Sequence, residues 1–137
     1  MPLETTTICQ RLMFPASPGT VFEMITDPVK MAEFSGMEVT ERPDGTIVAG
    51  NGRFRFRNLE LERGGRIVQA WSSTEWPEGL PPSRLEFRLK AIGQGTDLAM
   101  LQEGVPTEDA ERCSEAWHIY YWNPLFDHLR IMSTGKK

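Results

Sequence analysis

Hydrophobic and polar positions alternate with a period of two along most of the chain. Helical spacing appears early and again near the end. From Thr6 to Phe14, Ile8, Leu12 and Phe14 share one parity, which predicts a first strand closed by Pro15. Ser17 then Pro18 reads as a helix start, with Ser17 as N-cap and Pro18 in the first helical position. Val21, Phe22 and Ile25 follow at helical spacing. Asp27-Pro28 interrupts, a second short helix runs through Met31, Ala32 and Phe34, and Gly36 ends it.

The middle of the chain is strand-rich. Pro43-Asp44-Gly45 is a turn signal between two short extended runs, Met37–Glu41 and Thr46–Ala49. Arg53–Glu62 places Phe54 and Phe56 on one face and Arg53, Arg55 and Arg57 on the other. Leu59 and Leu61 take the opposite parity, which predicts a bulge near Arg57-Asn58, because one extra residue flips the facing. Gly64-Gly65 makes a hairpin turn, and Arg66–Ser73 follows with Ile67 and Trp71 on one face. Glu75–Ser83 (EWPEGLPPS) is rich in proline and reads as a loop inside one domain. Leu85, Phe87, Leu89 and Ala91 then alternate with Glu86, Arg88 and Lys90. Gly93-Gln94-Gly95 turns into a last strand, Thr96–Glu103. Short turns join successive strands, which predicts an antiparallel meander.

A long helix ends the sequence. Thr107 is a plausible N-cap, and Glu108, Asp109 and Glu111 load the first turn with negative charge. Ala110, Cys113, Trp117, Tyr120, Tyr121, Leu125, Leu129 and Met132 recur at spacings of three and four, an apolar stripe of about six turns. Pro124 predicts a kink or short break near Asn123, since proline removes a donor and crowds the preceding turn. Helices and strands are segregated, so the fold class is α+β. The expected architecture is one domain over residues 1–137: a curved antiparallel sheet of about six strands wrapped around the long C-terminal helix, with two short helices after the first strand.

Composition changes this picture little. Hydrophobic residues are 39% and charged residues 25%, both ordinary for a globular domain. A formal net charge of −4 argues against nucleic-acid or anionic-membrane partners, which need a positive field. Lys136 and Lys137 read as a solvated terminus. No secretory signal and no run of ~18 apolar residues is visible, so the cytoplasm is the expected location. Cys9 and Cys113 are too few for a zinc site or a disulfide framework and are expected to be buried free thiols.

Catalytic chemistry finds little support. His118 and His128 are ten residues apart, ~15 Å along a helix and about 80° around it, so they cannot form a dyad or share a metal on a straight helix. Cys113 lies on the apolar stripe, with His118 beside it rather than across from it. Gly50-Asn51-Gly52 lacks the lysine and spacing of a phosphate loop. Glu60 and Glu62, ~7 Å apart on one strand face, and Arg112 with Glu115 on the helix, read as solvated charge. The aromatic side chains Trp71, Phe87, Trp117 and Tyr121 are expected to converge between sheet and helix, either as core filling or as the wall of a ligand cavity. Met100 joins them as a candidate lining residue. Trp76, in the proline-rich loop, is read as a cavity-mouth or partner-contact residue. The inward-facing groups with protons to move are Gln69, Gln102 and Tyr121. No catalytic residue, metal or cofactor is expected.

The element order resembles the helix-grip layout of the START-like and birch-pollen-allergen superfamily. RIVQAWSSTEWPEG (Arg66–Gly79), GVPTEDAERCSEAWHIYYWNPL (Gly104–Leu125) and FPASPGTVFEMITDPVKMAEFSG (Phe14–Gly36) are similar, in that family's order, to segments of the C-terminal domain of the activator of the heat-shock protein 90 ATPase. The resemblance spans nearly the whole chain. It implies a non-enzymatic binding module whose partner is a 90-kilodalton chaperone or a small hydrophobic ligand. The competing implication is a START-like enzyme of cyclase or dehydratase type, using a polar group in the cavity. The eukaryotic cochaperones carry a separate N-terminal domain to which none of these residues corresponds, so ATPase stimulation is not expected of this sequence by itself.

Overall fold

The computed structural model describes residues 4–50 and 52–135. Asn51 of the glycine-flanked turn and the Lys136-Lys137 end lie outside the described residues. Strand β1 (Thr5–Phe14) turns at Pro15 into helices α1 (Pro18–Thr26) and α2 (Pro28–Ser35). Both helices start where their caps dictate. The Thr20 N–H donates to Ser17 Oγ at 3.3 Å, and the Val29 N–H donates to Asp27 Oδ1 at 2.9 Å. Each cap is followed by a proline, whose missing N–H leaves nothing to satisfy in the first turn. Gly36 stops α2 at φ 73°, a left-handed conformation that a β-carbon would strain.

Six strands follow: β2 (Val39–Glu41), β3 (Ile47–Ala49), β4 (Phe54–Glu62), β5 (Arg66–Ser73), β6 (Ser83–Ile92) and β7 (Gly95–Pro106). They form the expected meander, and β1 adds to its far edge. The result is one antiparallel sheet of seven strands in the order β1-β7-β6-β5-β4-β3-β2. The bulge in β4 falls slightly later than its pattern predicts: the register shifts between Asn58 and Glu60, so Leu59 is the extra residue. The shift does bring Leu61 opposite Ile67, on the helix-facing side. Leu59 and Leu61 nevertheless stay exposed near the strand end.

The C-terminal segment is helical throughout but not uniformly wound. A 3-10 turn (Thr107–Asp109) leads into α3 (Ala110–Ala116), a π-helical turn (Trp117–Trp122) and α4 (Asn123–Gly135). Thr107 does not cap with its side chain. Its N–H donates to the Glu4 carbonyl, continuing the β1–β7 pairing. The break expected at Pro124 takes the form of the π turn just before it, where the Asn123 N–H reaches back five residues to the His118 carbonyl.

The wider winding decides which rings are buried. At ~100° per residue an α-helix would set Trp122 about 140° from Trp117. The extra residue per turn lets Trp117, Tyr121 and Trp122 all face the sheet, and all three are buried. Tyr120 and Met132, which belong to the apolar stripe on α-helical spacing, instead turn outward, each 38% exposed. Against the sheet, Phe87 meets Trp117 and Trp122 edge-on, with centroids at 6.0 and 5.8 Å, while Trp117 stacks on Trp122 at 5.4 Å. Each such pair contributes ~0.5–1.5 kcal/mol beyond its buried area.

Candidate functional site

Register brings a buried polar cluster under the helix. Trp71 pairs with Ser83 across β5 and β6, and Leu85 pairs with Gln102 across β6 and β7. Gln102 is completely buried. Its Oε1 accepts from Trp117 Nε1 at 2.8 Å, with the Cys113 thiol 3.7 Å away, and its Nε2 donates to Ser83 Oγ at 3.0 Å. The Ser83 hydroxyl in turn donates to the Trp71 carbonyl at 2.7 Å. One chain of bonds thus ties the helix to three strands. A second anchor joins Gln10 of β1 to the helix: its Oε1 accepts from Trp122 Nε1 at 2.7 Å, and its Nε2 donates to Ser114. Gln69 Nε2 donates to Asn58 Oδ1 at 2.8 Å. The side-chain amides of Gln10, Gln69 and Gln102 are thus each paired with polar side chains, as a low-dielectric interior demands.

Beside this cluster lies a partly enclosed cavity of about 40 Å³. Trp71, Trp117, Tyr121 and Trp76 line it together with Arg53, Phe54, Asp109 and Arg112. Four of the expected site residues are thus brought together. Phe87 and Met100 pair with each other across β6 and β7 and are buried in the core without reaching this cavity. Trp76 is buried: its indole N–H donates to Asp109 Oδ2 at 2.9 Å and its ring lies 5.6 Å from that of Trp71. The proline-rich loop is therefore fastened to the start of the C-terminal helix.

Arg53, Asp109 and Arg112 carry no sequence signal for this site. Strand parity places Arg53 on the solvent face, but it precedes β4, and the Thr74 N–H bonds its carbonyl at 2.9 Å. Its guanidinium then reaches Glu75 at 2.7 Å, and Arg112 pairs with Asp109 at 3.1 Å. Two donors on residues that line the cavity stand out. Trp71 Nε1 and Arg53 Nε are buried and have no hydrogen-bond acceptor among the described residues.

Two buried groups nearby, Cys113 and Tyr121, hold their protons at neutral pH. Burial, with the Asp109 charge adding to it, pushes the Cys113 thiol up to about 12. Burial also raises the Tyr121 phenol, whose hydroxyl contacts Met31 Sδ at 3.4 Å. His118 is exposed and His128 half-buried. Glu60 and Glu62 both accept from Arg66, at 3.3 and 3.2 Å, as surface ion pairs do. Cys9 is exposed, contrary to the expectation of a buried thiol, because it faces outward from the β1 edge strand. Among the described residues no cluster of three or more His, Cys, Asp or Glu could hold a metal, and no helix is long and apolar enough to cross a membrane.

The family model described as "Activator of Hsp90 ATPase homolog 1-like protein" matches residues 15–130, most of the chain. The chain belongs to this family. The human activator of 90 kDa heat shock protein ATPase homolog 1 is 26% identical to it over 127 residues, 90% of this chain and 37% of that protein. An uncharacterised Schizosaccharomyces pombe protein is 26% identical over 125 residues, again 37% of its length. The chain thus spans about a third of the curated relatives it matches. Among solved structures, an HSP90 activator from Plasmodium falciparum superposes with a TM-score of 0.73 at 18% identity, covering 94% of this chain and 96% of that one. CalU16 from Micromonospora echinospora gives 0.74 at 23% identity, covering 92% and 75%. These two likenesses speak to the helix-grip fold.

Proposed function

We propose that this domain is a non-catalytic binding module of the Hsp90-activator type, acting in the cytoplasm through its surface on a 90-kilodalton chaperone. The observation that carries the reading is the packing between sheet and helix. Stacked and edge-on rings leave about 40 Å³ beside Trp71, whereas pockets for drug-sized ligands measure ~300–1,000 Å³. A large enclosed apolar ligand therefore has no room in this conformation. The matched family and the human relative, itself named as an activator of the 90 kDa heat shock protein ATPase, support the choice of partner.

A cyclase- or dehydratase-like role is weaker on chemical grounds. Gln69 and Gln102 are bonded to neighbouring side chains, and the Tyr121 hydroxyl is held neutral against Met31. None of them is poised to take a proton from a substrate. The test is NMR titration of the isotope-labelled domain with the host's own 90-kilodalton chaperone. Selective broadening or shifting of surface amides is expected. Unchanged spectra at saturating ratios would remove the reading.

A further inference from the structure

Strand β2 is the edge of the sheet opposite β1, with β3 as its one partner. The ends of that pairing fix its phase. The Gly50 N–H donates to the Glu38 carbonyl at 3.2 Å, and the Arg42 N–H donates to the Thr46 carbonyl at 2.8 Å. Thr40, midway between Glu38 and Arg42, stands opposite Val48. Bonded pairs in an antiparallel ladder alternate with unbonded ones, so Glu38, Thr40 and Arg42 turn their main-chain groups toward β3. Val39 and Glu41 turn theirs the other way. Two N–H groups and two carbonyls, on residues ~7 Å apart along the strand, are thus left without a ladder partner among the described residues. An edge in this condition is a template for another strand, and proteins usually blunt it with lysine, proline or a bulge. Val39-Thr40-Glu41 has none of these.

An open groove of about 750 Å³ lies between this strand and α2. Val39, Thr40 and Glu41 line one side, and Asp27, Val29 and Glu33 line the other. Val29 is 68% exposed, and with Pro28 and Ala32 it makes an apolar shelf. The lining holds three carboxylates, Asp27, Glu33 and Glu41, and no cation. None of the three forms a salt bridge among the described residues, and Lys30 of the same helix is held by Glu23. We propose that this groove binds an extended segment of a partner protein, bearing lysine or arginine, which adds to β2 as a further strand. Main-chain bonds to Val39 and Glu41 hold it, its apolar side chains rest on Val29 and Ala32, and its cations meet Glu33 and Glu41. Charge selects this occupant. Two β2 strands brought together about a two-fold axis would set the same carboxylates of both copies against one another, so a second copy is disfavoured. The net charge of −4 attracts the same cationic partner over a longer range. No residue lines both this groove and the aromatic cavity. The site does not rest on the chaperone reading, since a peptide alone tests it.

The experiment titrates the uniformly 15N-labelled domain with three peptides. One is a capped heptapeptide alternating lysine and valine, the second is the same peptide N-methylated along its backbone, and the third replaces each lysine by glutamate. The lysine peptide is expected to move the Val39 and Glu41 amide protons downfield in a saturable way and to slow their exchange with solvent. The Thr40 amide, turned toward Val48, is expected to change less. The N-methylated and glutamate peptides are expected to bind at least ~10-fold more weakly, the first through lost main-chain bonds and the second through repulsion. E33Q/E41Q alters two exposed side chains without touching the core, and should weaken the lysine peptide ~2- to 20-fold, the range two surface ion pairs span. No movement of the Val39 and Glu41 amides at millimolar lysine peptide overturns the proposal. Equal binding of the N-methylated peptide overturns strand addition, and equal binding of the glutamate peptide overturns the choice of a cationic segment. Shifts at the same amides that grow with domain concentration in the absence of peptide overturn the occupant in favour of a second copy.

Discussion

A leucine at position 102 keeps nearly the volume of the glutamine and removes both of its polar functions, so Q102L tests how much the buried network contributes. Trp117 is 3% exposed, and its indole N–H would lose the acceptor now 2.8 Å away with no water to replace it. An orphaned buried donor costs ~1–3 kcal/mol. Ser83 Oγ would lose the amide donor at 3.0 Å but keep its own bond to the Trp71 carbonyl, a loss of ~0.5–1.5 kcal/mol. The Cys113 contact at 3.7 Å adds little. The sum, ~2–4 kcal/mol, is a large part of the ~5–15 kcal/mol that holds a typical domain together. Urea denaturation should show a lower midpoint with an unchanged slope. A second arm isolates the Trp117 bond. W117F removes the donor at the expense of packing, and combining it with Q102L should give a favourable coupling of about 1 kcal/mol or more, because the double variant leaves no orphan. A Q102L domain within ~0.5 kcal/mol of the parent, or a coupling near zero, would refute the reasoning.

Two further outcomes follow from the sheet. Burial alone would raise the Glu86 carboxyl, but the Arg84, Arg88 and Arg66 guanidiniums, at 2.9, 2.6 and 3.1 Å, outweigh it and hold it down at about 2, below its ordinary 4.5. The stabilisation is therefore complete above pH 4.5 and lost as the pH falls through about 2, so the parent should lose more urea resistance over that window than E86Q; parallel pH profiles would contradict this. A β-carbon on Gly95 would stand 2.5 Å from the Phe14 carbonyl oxygen, a backbone atom that cannot turn aside, so G95A should cost ~1–3 kcal/mol, and an unshifted melting temperature would show that β1 yields freely.

Period-two alternation made most of the sheet legible because each strand has one face on the helix. Leu85, Phe87 and Leu89 are buried as their parity requires, and the caps at Ser17 and Asp27 lie where their side chains and the following prolines place them. The π turn was not legible. Its effect is to add a residue to a helical turn, and a pattern read at 3.6 residues per turn assigns Tyr120 to the core and offers no reason for Trp122 to share a face with Trp117. The candidate site was legible in half. Trp71, Trp117 and Tyr121 could be placed by parity and spacing, but Arg53 depends on the chain direction just outside a strand, and its pairing with Glu75 crosses from one loop to another. The unpartnered state of Trp71 Nε1 is a property of everything around it, so no local pattern carries it.

The edge position of β1 has a consequence for synthesis. Strands β2 to β7 each pair with a neighbour joined by a short connection, so that part of the sheet can zip up as it leaves the ribosome. The first strand has no such neighbour: Thr5 pairs with Pro106 and Phe14 with Thr96, and Gln10 waits for Trp122. At ~5–20 residues per second, roughly 5–20 s pass between the emergence of β1 and that of β7. Throughout that interval a ten-residue strand carrying Ile8, Leu12 and Phe14 is exposed without its pairing partner, an open template for other nascent chains. The arginine at position 11 and the polar Gln10, both set within that strand, lower its tendency to be captured before its own last strand arrives.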